Sequence, residues 1–288
     1  MIPQTGIALR PFRKSPKRNS QASIQVGRLP LLTIEGSSPR LSRLSRKMLA
    51  EPIKRSFVKN RILARLSLND LAAMGRFLEP VALKDRMVLQ EPRQPIEFIY
   101  FIESGVVSLR IVATGSILET ALVGYCGAIG VSYLLGGHIS TQQSVVLFPG
   151  HASRIHCNDL RCLMDERPQI REQLSRHVQA LNVHCAQTGL CGVRHHLEQR
   201  LACWLCLACD AYNSDVLPVT HDYLAYALGL RRAGITAALI HFEEQGLIRK
   251  MRGLLQVSDR GRLQQKTCSC YGLIAGTYAS AEHPTLAE

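Results

Sequence analysis

Between Thr220 and Ile248 the apolar positions fall into two short helical sets on either side of a glycine. The first set is Leu224, Ala227 and Leu228. The second is Ile235, Leu239 and Phe242, spaced i, i+4, i+7, so each predicted helix has one apolar face. Thr220 is placed as an N-cap with Asp222 in the first turn, Gly229 turns the chain, and Gly246 follows Gln245 as a terminator. The outer face of the second helix starts with Arg231 and Arg232 and continues through Ala233, Gly234, Thr236 and Ala237. Small side chains near a helix N-terminus let the backbone approach a groove, and arginines pair with phosphates or guanine edges. This pattern predicts a helix-turn-helix whose second helix lies in the DNA major groove. Beyond it, Leu247–Met251 and Leu254–Ser258 flank Arg252-Gly253, a hairpin pattern with Lys250 and Arg252 near its tip. The DNA-contacting residues expected are Thr220, Arg231, Arg232, Thr236, Ala237, Lys250 and Arg252.

Upstream the period changes twice. From Asn60 to Phe77 a helical pattern uses Ile62, Leu63, Leu66, Leu71 and Met74, with a break at Leu68-Asn69-Asp70. After Pro80 the period drops to two. Short strands are expected at Val81–Leu83, Met87–Gln90, Phe98–Ile102, Val106–Ile111, Glu119–Val123, Ser144–Leu147 and Ala152–His156. Turn signals between them include Ser104-Gly105, Gly136-Gly137 and Pro149-Gly150. Strands at this spacing suggest a barrel or jelly roll. After Pro168, Leu174, Val178, Leu181, Cys185 and Thr188 repeat at steps of 4, 3, 4 and 3. That seam fits either a dimer interface or a helix packed on its own barrel, and a DNA reader that needs two half-sites favours the dimer.

Charge adds little to this picture. The net charge is +13, yet residues 1–58 alone hold 12 basic and 2 acidic side chains. That segment is rich in Ser, Pro and Arg and too poor in apolar surface to fold, so a disordered basic tail is expected. The expected divisions are this tail at 1–58, a sensor barrel at 59–167, a dimerisation helix at 168–190, a winged helix-turn-helix at 191–276 and a flexible tail at 277–288. Ten cysteines without a signal peptide or disulfide spacing point to a reducing cytoplasm. The uncharged run Thr120–Gly137 contains five glycines and reads as strand, turn and short helix rather than a membrane span.

Cys203, Cys206 and Cys209 form CxxCxxC on an apolar helix and are read as core packing, while Cys268 and Cys270 are read as packing or a solvated chain end. His177, His184, His195 and His196 are read as solvated or interfacial. No metal site, and no iron–sulfur or zinc cofactor, is expected. No Ser/His/Asp order, Walker loop or HExxH is present, so no enzyme activity is expected.

Barrel, long helix and winged helix, in that order, resemble the Crp/Fnr family of bacterial transcription regulators. The segments carrying the resemblance are Phe98–Leu109, Gly127–Gly137 and the helix-turn-helix closing in Glu243–Arg249. The resemblance implies an α+β fold with a cyclic-nucleotide-binding-like jelly roll, a homodimer, a palindromic double-stranded DNA operator and contact with RNA polymerase, with no membrane partner. It places an effector pocket at Gly127, Ala128, Ile129, Gly130, Gln143 and Ser144. Cyclic-nucleotide-binding members carry a Glu and an Arg where Ala128 and Gln143 stand here. A buried phosphate would then lack a cation, at a cost of about several kcal/mol, so cyclic AMP is not expected. Arg232 matches a base-reading arginine of the family, whereas Ala233 and Ala237 occupy two other reading positions, so a different operator is implied. A redox- or metal-sensing factor using its cysteines is the alternative. The dimer seam expected comprises Leu174, Val178, Leu181, Cys185 and Thr188.

Overall fold

The structure is a computed structural model that describes residues 58–113 and 116–282. The basic tail, save Val58, lies outside the described residues. Two short helices open the described chain, α1 (Arg61–Ala64) and α2 (Leu68–Gly75). Each begins at a polar cap: Asn60 accepts from the Ile62 and Leu63 amides, and Ser67 accepts from the Asp70 amide. Fully buried Asn60 also donates through Nδ2 to the carbonyls of Ile102 and Gly127, both at 2.8 Å, fastening α1 to the sheet. The break expected at residues 68–70 is the start of α2, because Ser67 caps it.

The sheet contains β1 (Glu79–Leu83), β2 (Val88–Gln90), β3 (Phe98–Ala113), β4 (Ser116–Val123), β5 (Ala128–Ile129) and β6 (Gln143–His156). Its order is β1-β6-β3-β4, with β2 also on β6 and β5 also on β3, and every pairing is antiparallel. Alternation along β3 separates two apolar layers. Ile99 and Phe101 pack with α1, α2 and the helices after the sheet, while Tyr100, Ile102, Val107 and Leu109 pack with β4 and β6 on the other side.

Seven short strands were expected, but β3 and β6 are each one long strand running through one expected turn. Gly105, at φ +83°, and Gly150 instead face one another at register shifts in the β3–β6 ladder. A Cβ on Gly105 would lie 2.5 Å from the Phe148 carbonyl oxygen, and one on Gly150 would collide with the Ser104 carbonyl. The glycines permit close backbone approach at a bulge rather than chain reversal.

The sheet leads into α3 (Cys157–Glu166) and then the 27-residue α4 (Pro168–Arg194). Along α4 the expected dimer seam turns inward. Leu174 is buried with the first apolar layer, Val178 and Leu181 pack against it, Leu181 and Cys185 reach the second layer, and Thr188 lines a small cleft beside Leu118 and Glu119. The chain's own β core therefore covers the seam, the second of its two readings. Ser175, Gln179, Asn182, Ala186, Leu190 and Val193 form the exposed stripe of the helix, again at heptad-like steps.

The C-terminal part comprises α5 (Leu197–Tyr212), β7 (Val216–Leu217), α6 (His221–Leu228), α7 (Arg232–Glu244), β8 (Ile248–Met251), β9 (Leu254–Val257), α8 (Arg260–Gln265) and α9 (Ser269–Glu282). The three strands form a small sheet of order β7-β9-β8. Helix α9 packs along α4, where the Tyr278 hydroxyl lies 3.2 Å from His184 Nδ1. The flexible tail expected from residue 277 is thus helical as far as Glu282. Gly272, Ala275, Gly276 and Ala279 give α9 no strong apolar stripe to read.

Substituting Gly150 by Ala should destabilise the protein by about 2–4 kcal/mol, since backbone rather than a mobile side chain must yield. Urea denaturation of the purified protein measures this, and a loss below about 0.5 kcal/mol, the range of an unremarkable surface change, would contradict the close approach.

Candidate nucleic-acid interface and its link to the β core

The helix-turn-helix forms as its pattern requires. The Thr220 hydroxyl accepts from the Tyr223 amide at 3.2 Å to cap α6, and Gly229 ends that helix at φ +61°. Leu224, Ala227, Ile235, Leu239 and Phe242 close the inner face, each at most 2% exposed. Arg231, Arg232, Ala233, Ala237 and Ile240 remain exposed on the outer face. Arg231 sits at the N-cap of α7 without a side-chain cap bond, leaving the first amides of that helix available to an acceptor outside it. Arg232 pairs with Asp222 at 3.0 Å, and both side chains are about two-thirds exposed. Such a pair is weak in water, so the arginine can exchange it for a nucleic-acid partner.

The expected contact residues do not all share this freedom. Thr236 is half-buried, and its hydroxyl hydrogen-bonds His221 Nδ1 at 3.1 Å. Lys250 Nζ lies 2.7 Å from Glu243, and the Lys250 amide donates to the same carboxylate at 2.8 Å, so Lys250 straps β8 to α7. The lysine's hydrogen bond holds the Glu243 carboxyl below its ordinary range. Arg252 stands exposed at the hairpin tip beside Gly253, at φ +74°. Arg249, not among the expected contacts, is exposed on β8. Burial, then the positive fields of Lys250 and Arg232, lowers the His221 pKa and leaves a neutral imidazole between α6 and α7.

Residues 199–266 match the family described as Crp-like helix-turn-helix domain. Among solved structures, FixK2 from Bradyrhizobium japonicum is 16% identical with a TM-score of 0.58, over 66% of this chain and 98% of that one. A Crp/Fnr-family transcriptional regulator from Thermus thermophilus is 22% identical with a TM-score of 0.55, over 65% and 97% of the two chains. The c-di-GMP-responsive global regulator CLP from Xanthomonas campestris is 14% identical with a TM-score of 0.57, over 67% and 100%. No curated protein matches the chain in sequence. Residues 199–266 therefore carry a Crp-like helix-turn-helix domain, and the chain shares its fold with these solved regulators.

The segment expected to hold an effector is packed. Ala128 and Ile129 are buried in β5 against Phe101 and Tyr100. Gly127 is buried beside His177, and Gly130 adopts φ +89°, where a Cβ would come 2.7 Å from the Phe98 carbonyl oxygen. Gln143 Nε2 donates to both oxygens of Glu91 at 3.1 and 3.2 Å, and the buried Ser144 hydroxyl donates to Gln90 Oε1 at 3.3 Å. The Glu91 carboxylate therefore faces Gln143, the position expected from the resemblance to border an effector pocket. His177 Nε2 lies 3.0 Å from the Ala128 amide and 3.2 Å from its carbonyl oxygen, so its tautomer selects one of the two bonds. Burial pushes its pKa down to about 4, keeping the ring neutral.

The β core is joined to the helix-turn-helix part through one apolar core and one buried carboxylate. Val106, Leu122 and Phe148 of the large sheet pack with Leu201, Leu205, Leu224 and Leu239. Gly124, at the end of β4, comes so close to Ala211 of α5 that any Cβ would strike backbone. Glu119 on β4 is 4% exposed and accepts at 2.5 Å from Ser108 Oγ, Trp204 Nε1 on α5 and the Tyr223 hydroxyl on α6. Arg110 donates to Ser108 Oγ and to the Tyr223 hydroxyl, and its guanidinium lies over the Tyr223 and Tyr226 rings. Burial raises the Glu119 pKa, and the three hydrogen bonds and Arg110 oppose that shift only in part. These partners lie 11 to 104 residues away in sequence, so pattern alone does not reveal them.

The cysteines divide by environment. Cys206 and Cys209 lie in the apolar core, and burial pushes both thiols up to about 12, matching the packing expected. Cys203 of the same CxxCxxC faces away from them, into a separate group with Cys191, Cys268 and Cys270. His195, at the end of α4, joins Cys191, Cys268 and Cys270, and their ligand-type atoms all lie within 4.8 Å of one another. His196, next in sequence, caps α5 with Gln199.

Trp204 is the sole tryptophan of the chain, so its fluorescence reports on Glu119. A raised native pKa means that the folded form binds the proton more tightly. The contribution to stability is then present below the ordinary value of 4.5 and is lost as pH rises through the native value. A fluorescence titration of native protein should show a midpoint above 4.5, and Glu119→Gln should abolish it. An unchanged titration in that variant would remove Glu119 as its origin.

Proposed function

We propose that this chain is a Crp/Fnr-type regulator that binds a palindromic DNA operator as a cytoplasmic homodimer and adjusts transcription through contact with RNA polymerase. The observation that carries the reading is the outer face of α7, with exposed Arg231, Arg232, Ala233 and Ala237 over a closed apolar inner face. In this reading Arg232 leaves Asp222 for a base edge, Arg231 and Arg252 meet phosphates, and Ala233 and Ala237 let the helix sink into the groove. Arg249 adds a phosphate contact from β8, while Thr236 and Lys250 hold the unit together.

The exposed stripe of α4 supplies a face for the second copy, ending in Leu190 and Val193, which are 47% and 82% exposed. Two recognition helices related by that contact would meet successive major grooves. Control enters at the joint between the β core and the DNA-binding part rather than in a cyclic-nucleotide pocket. Supporting this is a cleft of about 410 Å³ there, with Tyr125, His184, Asp210, Arg260 and Tyr278 in its lining. A molecule preferring one arrangement of the joint would shift the spacing of the recognition helices. No helix of the described residues is long and apolar enough to cross a membrane.

Genome-wide selection of bound fragments by the purified protein should return an inverted repeat. On that site Arg232→Ala should lose about 1–3 kcal/mol and relax preference at one base position per half-site. Arg252→Ala should weaken every sequence alike and reduce the salt slope by about one. Unchanged affinity and preference in Arg232→Ala would refute the assigned reading residue.

A further inference from the structure

We propose that Cys191, His195, Cys268 and Cys270 form a mononuclear tetrahedral zinc site that pins the end of α4 to the start of α9. The four come from two distant stretches of chain. Cys191 lies in the last turn of α4, and His195 is the residue at which that helix stops. Cys268 directly precedes α9, and Cys270 is in its first turn. Helix α9 runs along α4, and this packing brings the two pairs together.

Distances and chemistry both fit one small ion. Ligand bonds of about 2.3 Å for sulfur and about 2.0–2.1 Å for nitrogen, opened at a tetrahedral angle, place sulfur atoms roughly 3.8 Å apart and sulfur roughly 3.6 Å from nitrogen. Cys191 Sγ and Cys268 Sγ lie 3.5 Å apart, and Cys270 Sγ lies 3.6 Å from His195 Nδ1. All four ligand atoms lie within 4.8 Å of one another. Three soft thiolates with one imidazole, and no carboxylate, favour zinc over magnesium, calcium or manganese. An iron–sulfur cluster distributes its thiolates over separate iron atoms and holds them farther apart than this group stands. A disulfide requires sulfurs at about 2.05 Å, so Cys191 and Cys268 are neighbours rather than a bond.

The surroundings are those of a closed structural site. Cys191, Cys268 and Cys270 are 7%, 5% and 0% exposed, and His195 is half-buried, leaving one approach from outside. Cys203, buried on α5, lies against the group as a fourth thiol beyond the four-atom set. Three buried thiols and an imidazole Nδ1 turned toward one another are also a poor apolar core. Leu or Val would fill the space without polar atoms. Because α5 starts two residues after His195, an ion here sets the angle at which the DNA-binding part leaves α4. The site itself does not rest on the DNA-binding reading.

The test uses the full-length protein, reduced and handled without oxygen. Metal analysis should find one zinc per chain. After zinc removal, Co²⁺ should restore thiolate charge-transfer absorption and the visible bands of a tetrahedral ion. Cys268→Ser and Cys270→Ser should weaken Co²⁺ binding by at least about 100-fold, beyond the loss caused by an outer-shell partner. Cys162→Ser, at an exposed cysteine outside the group, should leave binding unchanged. His195→Cys should retain the ion with a charge-transfer band enlarged by one thiolate, which a merely misfolded variant would not show. Folded wild-type protein that binds neither Zn²⁺ nor Co²⁺ would overturn the site, as would undiminished binding in both serine variants. Iron and acid-labile sulfide in stoichiometric amounts would overturn it in favour of a cluster.

Discussion

The described structure turns on Glu119, a carboxylate enclosed between the β core and the helix-turn-helix part. Removing a carboxylate from water costs several kcal/mol, roughly, unless donors meet it in good geometry. Here the donors come from three places: Ser108 on the neighbouring strand, Trp204 on α5 and Tyr223 on α6. The observed docking of the two parts satisfies all three bonds. A displaced docking would leave a buried acceptor, or its donors, without partners, so the carboxylate selects an orientation more than it adds stability. The apolar core shared by Val106, Leu122, Phe148 and the winged helix supplies the attraction, which is not directional by itself.

That division of labour explains how the outward surface is held. Helix α7 is fixed by its apolar face against α5 and α6, while the Lys250–Glu243 strap fixes the wing to α7. Position then passes from α6 through Tyr223 to β4, and from α5 through Ala211 to Gly124 of the same strand's end. Both routes end at β4 or at the residue that follows it. Helix α4 forms the opposite boundary. Its inner seam lies on the β core, its flank is covered by α9, and its remaining stripe faces outward.

The cysteines show the limit of reading spacing alone. CxxCxxC at Cys203, Cys206 and Cys209 is the obvious pattern, yet those side chains spread around a helix, and two of them are core packing. The convergent group joins Cys191 and His195 to Cys268 and Cys270, pairs more than 70 residues apart. Local geometry could not bring them forward, because their meeting depends on how α9 lies on α4. Helix α9 was hidden as well, because its many small residues carry little periodic hydrophobicity.

Patterning along the chain was enough for the elements whose information is local. The two helices around Gly229, their caps and apolar faces, the hairpin at Gly253 and the period-two strands follow from side-chain alternation and turn chemistry within a few residues. Tertiary structure decided whatever depends on meetings between distant segments. It turned Gly105 and Gly150 from turns into a close strand crossing, and laid the Leu174–Cys185 seam on the chain's own core. It buried Glu119 among partners from three elements and gathered four metal-ligand side chains at one point. Burial and convergence belong to pairs of distant segments, and periodicity in either segment alone carries no record of the other.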